Sequence, residues 1–326
     1  MKTPAYIGAV LGVVALIIVA VYADFPAMLR TLSSGGPAVL WLIPYRVLFF
    51  LLYAIGWAAL LRSSEPARHI GLGYVFWATT VRDAVDRLLP VASMGGSVVG
   101  VRILQWRGIS GAVAGASVIV EILLTLVAVY LFTALGLLML AEYGAAGHQY
   151  HRVVLVFVLS LPVPAVMLAI LKNGAFLKRV QALIHSWVGE GAMSRVTESL
   201  DREVRALLHR PRALVLAGGL QLVALVSGAF EIWFALWLFD HPVSIGAAVM
   251  LESMTQAIRH VAFVVPAGVG VQEAGLVLFG HIVGISGEMA LAVGMVKRIR
   301  ELAWGLPTLI GWQWVEGRRL RRASAP

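Results

Sequence analysis

Cysteine is absent from the 326-residue chain, and charged residues are scarce, at 13% of the sequence. Without cysteine the chain has no disulfide bond, no thiol nucleophile and no cysteine-ligated zinc or iron–sulfur centre. Water-soluble domains are charged at about a quarter of their residues, so this charged fraction is about half the usual one. Because 60% of the residues are hydrophobic, the composition indicates an integral membrane protein.

Several motifs of membrane enzymes and pumps are also missing. The chain contains no HExxH zinc motif, no Walker phosphate loop ending in GK[ST] and no GxSxG nucleophile elbow. The usual machinery of zinc hydrolases, ATP-driven pumps and serine hydrolases is thereby excluded. Because these motifs are missing, we predict no metal and no cofactor. The net charge of +9 comes without a nucleic-acid recognition motif, so we also predict no nucleic-acid partner.

Long apolar runs predict an all-α polytopic membrane protein with six transmembrane helices. The runs cover residues 5–23, 39–61, 111–140, 153–171, 213–239 and 289–314. Two further apolar regions, 69–106 and 245–283, are interrupted near their middles. The interrupting residues are Pro90, Gly95 and Gly96 in the first region and Pro266, Gly268 and Gly270 in the second. We predict each region as a broken helical hairpin, either re-entrant or a pair of short tilted spans.

An internal repeat relates the two hairpins. A shift of 176 positions aligns Pro90 with Pro266, and it aligns the string GISG at 108–111 with an identical string at 284–287. The predicted repeat halves are 39–140 and 213–317, within a single membrane domain covering 1–326. They are inverted repeats, because the predicted topology crosses the membrane an odd number of times between them. Transporters with inverted repeats bind their substrates near the midplane, where broken helices meet.

The predicted loops place most lysines and arginines on one side of the membrane. This side holds the connector 172–212 and the basic C-terminal stretch, whereas Arg30 and Arg152 fall on the other side. The positive-inside rule therefore predicts that both termini are cytoplasmic. Within the connector, Val196, Leu200 and Val204 recur at helical spacing among charged residues. This pattern predicts an amphipathic helix at the membrane surface, or a solvated cytoplasmic connector.

Charged residues inside apolar segments are the candidate site residues, because each is costly in a bilayer unless it is paired or faces a cavity. The candidates for binding an anionic headgroup are Arg102, Arg259, Lys297, Arg298 and Arg300. The candidates for coupling or for fixing the hairpins are Glu121, Glu273 and Glu301. Spacing allows Glu301 to pair with Lys297 or with Arg298. Alternatively, Glu121, Glu231, Glu252 and Glu273 neutralise the cations, and the network is architectural.

Asp83 and Asp86 form a DxxD pair, a spacing found in magnesium-diphosphate sites. Arg82 and Arg87 flank the two acids, so mutual neutralisation is the favoured interpretation over metal binding.

Three stretches carry a resemblance to a known family. They are LLPVASMGGSVVGVR at 88–102, VPAGVGVQEAG at 265–275 and VKRIRELAWGLPTLIGWQWVEG at 296–317. With them the chain resembles the flippase-like transmembrane region of lysylphosphatidylglycerol synthases, in the branch of hopanoid-biosynthesis-associated membrane proteins. The resemblance implies a bacterial inner-membrane protein that translocates polar lipid or serves hopanoid metabolism. It does not imply lysine transfer, because no aminoacyl-transferase domain is recognised in the sequence.

Three functions remain open from the sequence. The first is translocation or handling of a membrane lipid, either a hopanoid or a phospholipid. The second is a membrane-embedded lipid-modifying transferase that uses Asp83 and Asp86. The third is a non-catalytic scaffold whose partners are lipid-biosynthesis enzymes.

Overall fold

A computed structural model describes residues 35–64, 70–89, 95–142, 148–172, 190–261 and 270–324, and the regular structure within these ranges is entirely helical. The eleven α-helices described there are α1 Leu42–Ser64, α2 Leu72–Leu88, α3 Gly95–Gln105, α4 Gly111–Glu142, α5 His148–Ser160, α6 Pro162–Lys172, α7 Glu190–Leu208, α8 Pro211–Leu238, α9 Ile245–Val261, α10 Val271–Gly280 and α11 Gly287–Ser324. Short 3-10 helices, Pro37–Trp41 and His281–Val283, precede α1 and follow α10.

Among the described residues, four helical segments are long and apolar enough to cross a membrane. They are Pro37–Ser64, Gly111–Ala141, Val154–Leu171 and Pro211–Leu238. The third combines α5 and α6, which meet at Leu161. These segments confirm four of the six predicted spans and a multi-pass membrane protein. The predicted span 5–23 lies outside the described residues.

The last predicted span, 289–314, lies within the single 38-residue helix α11. Lys297, Arg298, Arg300 and Glu301 make this helix too highly charged to be recognised as a span by its composition. The helix continues through Pro307, and the Thr308 hydroxyl donates a hydrogen bond to the Trp304 carbonyl at 2.7 Å. The spans 5–23 and 289–314 therefore stay predictions.

Both predicted hairpins are interrupted helix pairs, α2 with α3 and α9 with α10. The interruptions themselves, including Pro90, Pro266 and Gly268, lie outside the described residues. The arms contain 17, 11, 17 and 10 residues, and each is shorter than the roughly 20 residues that a full span requires. In the first pair, the Tyr74 hydroxyl donates to the Ile103 carbonyl at 2.6 Å, so the two arms lie side by side.

The repeated GISG string forms the same turn twice. Gly108 and Gly284 both have a positive φ, 76° and 78°, which glycine adopts without strain. Ser110 then caps α4 by accepting a hydrogen bond from the Val113 N–H, and Ser286 caps α11 in the same way, both at 3.2 Å. The shift of 176 positions thus also aligns the starts of α4 and α11. The inverted orientation of the two repeats stays a prediction.

The chain forms two compact units, and each contains parts of both predicted repeat halves. The first unit comprises the described residues of Met1–Val47, Thr79–Val99 and Phe230–Pro326. Within it, the Trp304 indole N–H of α11 donates to the Ile43 carbonyl of α1 at 2.7 Å. Gly305 of α11 lies against Leu88 of α2. These contacts place the charged part of α11 beside α1 and α2.

The second unit, Leu48–Ala78 with Gly100–Ala229, has an apolar core built around α4. The apolar side of α7 belongs to this core, because Val204 and Leu207 are fully buried there. The predicted amphipathic helix is therefore present, and protein covers its apolar face. Its position at the membrane surface stays a prediction.

Candidate functional site

Nine charged side chains of the first unit form a continuous network of ion pairs, here called the charged cluster. Its five arginines are Arg46, Arg87, Arg259, Arg298 and Arg300, and its four acids are Asp83, Glu231, Glu273 and Glu301. They come from α1, α2, α8, α9, α10 and α11. Five cations against four anions leave one positive charge within the cluster.

Glu301 is the centre of the charged cluster. Arg87 Nη1 lies 2.6 Å from Glu301 Oε1, and Arg298 Nη1 lies 3.2 Å from Oε2. Two more guanidinium groups approach Oε1 without reaching hydrogen-bond distance, Arg259 Nη1 at 3.6 Å and Arg300 Nη2 at 3.7 Å. Four arginines therefore surround one carboxylate, and the predicted pairing of Glu301 with Arg298 is among these contacts.

Lys297 is engaged elsewhere. Its ammonium donates to Glu252 Oε2 on α9, and the Gln256 amide donates to Glu252 Oε1 at 2.8 Å. Arg300 is similarly committed, because it forms an ion pair with Glu231 of α8. The neutralising role predicted for Glu231 and Glu252 is thus seen in both pairs. Lys297 takes its acid from α9 and not from Glu301.

Glu273 fixes α10 to α11. It lies in the first turn of α10, where the helix dipole favours a carboxylate, and Arg298 Nε donates to its Oε1 at 2.9 Å. Gly294 of α11 makes room for it, since a Cβ there would lie 3.2 Å from Glu273 Cγ. Gly270, with φ of 78°, provides the left-handed residue at the start of α10.

One edge of the charged cluster is more accessible than its centre. The exposed fractions of the edge side chains are 13% for Arg87, 16% for Arg298, 18% for Arg259, 21% for Glu273 and 22% for Asp83. Among the described residues, Arg259 has one ionic partner, Glu301, and no hydrogen bond to it. Arg259 is thus the most weakly held cation of the edge.

Comparison with known protein families assigns the chain to one of them. The family model for the lysylphosphatidylglycerol synthase TM region matches residues 7–311, which include every member of the charged cluster. The chain belongs to this family. No curated protein and no solved structure matches it. Membership of the lysylphosphatidylglycerol synthase TM family indicates a membrane-lipid-related function.

In this member of the lysylphosphatidylglycerol synthase TM family, the DxxD acids have separate structural partners. Asp83 accepts from Arg87 Nε at 2.7 Å, and Asp86 accepts from the Gly96 backbone N–H at 2.8 Å. Asp86 therefore caps the first turn of α3 from the preceding helix α2. Within the described ranges, no three His, Asp or Glu side chains are grouped so that they could hold a metal ion. Asp83 thus pairs with arginine, as the sequence favoured, and Asp86 serves as a helix cap.

Removing the Asp86 cap should destabilise the protein by about 1 kcal/mol, the typical contribution of a side-chain cap. We expect Asp86→Ala to lower the unfolding temperature in detergent. Asp86→Asn keeps an acceptor oxygen and is expected to remain within experimental error of the wild type. Equal destabilisation by both substitutions would show that the negative charge, and not the hydrogen bond to Gly96, is required.

Two predicted site residues lie in the second unit. Arg102 is an exposed residue of α3, and Glu121 is buried in α4. Conversely, sequence analysis did not single out Arg46, which contacts Asp83 and Glu231 at 3.8 Å each. A lone arginine within the apolar run 39–61 was the signal that could have identified it.

Proposed function

We propose that the protein moves a polar lipid between the leaflets of the bacterial inner membrane and that the charged cluster binds its anionic headgroup. The observation that carries this proposal is the accessible edge of the charged cluster, where Arg259 has only a 3.6 Å contact with Glu301. Buried charges are costly in a bilayer and usually serve a substrate or ion pathway. The single excess positive charge suits an anionic group, which guanidinium binds with paired hydrogen bonds.

In this proposal the basic residues have two different roles, headgroup binding and helix packing. Arg259 and Arg298, at the accessible edge, receive the headgroup. Lys297 and Arg300 hold α11 to α9 and α8 through their buried acids. This assignment selects the two arginines of the charged cluster whose side chains are most exposed.

Unmet hydrogen-bonding capacity next to these arginines also supports the proposal. Three buried atoms on α9 and α10 have no hydrogen-bond partner among the described residues: Thr255 Oγ1, Gln272 Nε2 and Glu273 Oε2. Thr255 lies one helical turn before Arg259, and Glu273 is bound to Arg298. Buried polar atoms are rarely left unpaired, so each of these three atoms has capacity for a hydrogen bond to a polar ligand or water.

Lipid-facing surfaces would carry the apolar part of the substrate. Within the first unit, Leu278 of α10 and Ile310 of α11 are apolar residues that are more than half exposed. In this proposal the lipid keeps its tails beside such residues of α10 and α11 while its headgroup occupies the charged cluster. The resemblance found in the sequence favours a hopanoid or phospholipid substrate, and the basic loops favour cytoplasmic termini.

Lipid transfer in proteoliposomes tests the proposal. We expect the wild type to accelerate transfer of a fluorescent phospholipid between leaflets, measured by chemical quenching of the outer leaflet. Arg259→Gln should reduce this rate at least about tenfold, because a hydrogen bond to a charged group contributes about 1.5–3 kcal/mol. The assay is repeated with a pH gradient, because a proton on Glu273 would weaken its pair with Arg298.

Arg205→Gln is the matched control. Arg205 is an exposed residue of α7 that pairs with Asp201 at 2.9 Å, outside the charged cluster. The two variants lose the same charge, and only Arg259→Gln should lose transfer. A wild-type rate equal to that of empty vesicles, with and without the gradient, would refute translocation. Unfolding temperatures of all three proteins separate loss of function from loss of fold.

A further inference from the structure

The four arginines around Glu301 carry more positive charge than its single carboxylate can neutralise. One carboxylate carries a single negative charge, and it is approached by four guanidinium groups, two of them beyond hydrogen-bond distance. Arg300 has Glu231 as a second partner, Arg298 has Glu273, and Arg87 has Asp83. Arg259 has no such second acid among the described residues. Of the four arginines around Glu301, Arg259 is therefore the one that depends on Glu301 for its neutralisation.

A carboxylate and a phosphate present similar faces to arginine. Guanidinium binds both through a planar fork of N–H donors, and the two anions differ mainly in charge and in the number of oxygens. Glu301 Oε1 accepts from Arg87 and faces Arg259 and Arg300, so one oxygen is shared by three cations. A phosphate has more oxygens than a carboxylate and could therefore accept from each of these cations separately.

We infer that the Glu301 carboxylate and the anionic group of the headgroup compete for the same arginines. This inference rests on the proposed function and adds a specificity-determining residue to it. Glu301 contacts Arg87, Arg259 and Arg298, and the headgroup has to displace it from them. An anionic headgroup binds if its interaction with the arginines is more favourable than that of Glu301. A neutral headgroup cannot replace the charge of Glu301 and therefore obtains no binding energy from these arginines.

Competition predicts the sign of the mutational effects. Removing the charge of Glu301 eliminates the competitor and one repulsive charge, so anionic lipid should bind more tightly. Removing Arg259 eliminates a ligand, so anionic lipid should bind more weakly. A purely structural Glu301 predicts the opposite for the first variant, because loosened arginines would bind lipid less well or not at all.

Binding of phosphatidic acid, with diacylglycerol as the uncharged probe, tests the inference on purified full-length protein by native mass spectrometry. We expect Glu301→Gln to tighten phosphatidic acid binding about fivefold or more, the lower range of coupling between interacting sites. Arg259→Gln/Glu301→Gln has the wild-type net charge and is expected to lose that gain. Diacylglycerol should bind equally to all variants. Wild-type or weaker phosphatidic acid binding by a folded Glu301→Gln protein would overturn the inference.

Glu301→Asp covers the case in which the glutamine variant fails to fold. The shorter side chain keeps its charge and withdraws it from the arginines, and we expect phosphatidic acid binding about twofold tighter than the wild type. No tightening in this variant also overturns the inference. Lipid transfer and lipid binding are measured separately. A protein that shows these affinities but does not accelerate transfer would refute translocation and leave the role of Glu301 intact.

Discussion

Replacing Lys297 with methionine is expected to lower the free energy of unfolding by about 3–5 kcal/mol, the usual effect of removing one partner of a buried ion pair. The Lys297 and Glu252 side chains are only 5% and 3% exposed. Methionine fills a similar volume, so the loss comes mainly from the carboxylate that remains. Glu252 would keep its hydrogen bond from Gln256 but would have no cation within the pair. Denaturant unfolding in detergent measures the effect.

The double variant Lys297→Met/Glu252→Leu distinguishes the ion pair from simple packing. Replacing both charged partners with apolar residues of similar volume is often neutral, because the desolvation of both charges is relieved. We therefore expect the double variant to recover most of the stability lost in either single variant, with a coupling energy of about 2 kcal/mol or more in the cycle. Additive losses would show that Lys297 and Glu252 contribute independently of each other.

Gly96→Ala is expected to destabilise the protein by about 1–3 kcal/mol through overpacking. An added Cβ would lie 2.6 Å from Asp86 Oδ2 and 2.8 Å from Asp86 Cγ, and it would also clash with the Arg82 carbonyl oxygen. The carbonyl belongs to the backbone of α2 and cannot rotate away. The clash therefore pushes α3 from α2 and strains the cap that Asp86 provides. A lower unfolding midpoint in detergent is the expected result.

Gly219→Ala is the control for this substitution. Gly219 lies inside α8, and no atom would be within 4 Å of an added Cβ. Alanine has a higher helix propensity than glycine, so this variant should be neutral or more stable by up to about 1 kcal/mol. If Gly96→Ala were as stable as Gly219→Ala, the close approach of α2 and α3 described here would be wrong.

Apolar length predicted most of the fold. Four of the predicted runs form helices that are long and apolar enough to cross a membrane. A stretch of about 20 apolar residues has few alternatives to a helix in a bilayer. The hairpins were located by their proline and glycine interruptions, since these residues end helices. The single helix α11 was less predictable as a span, because Lys297 and its neighbours interrupt the hydropathy signal. The packing of Val204 and Leu207 onto α4 could not be distinguished from a lipid contact, since both environments are apolar.

Local spacing predicted only part of the candidate site. Arg298 and Glu301 are three residues apart on α11, and their contact followed from helix geometry. Arg87 and Glu301 are 214 positions apart, and no sequence period relates them. The acids that pair with Lys297 and Arg300, Glu252 and Glu231, also lie on other helices, so local spacing could not predict these pairs. Tertiary packing determines the pairs that join different helices, such as Arg87 with Glu301 and Lys297 with Glu252.

The twin GISG turns introduce two helices with very different later sequences. At the aligned positions, α11 has Lys297, Arg298, Arg300 and Glu301, whereas α4 has Glu121, Ile122, Leu124 and Thr125. If one ancestral segment gave rise to both, the halves have specialised, one for ion pairs and the other for apolar packing. Evolutionary reconstruction of such a half-length ancestor should therefore begin by asking whether its basic helix was gained once or lost once.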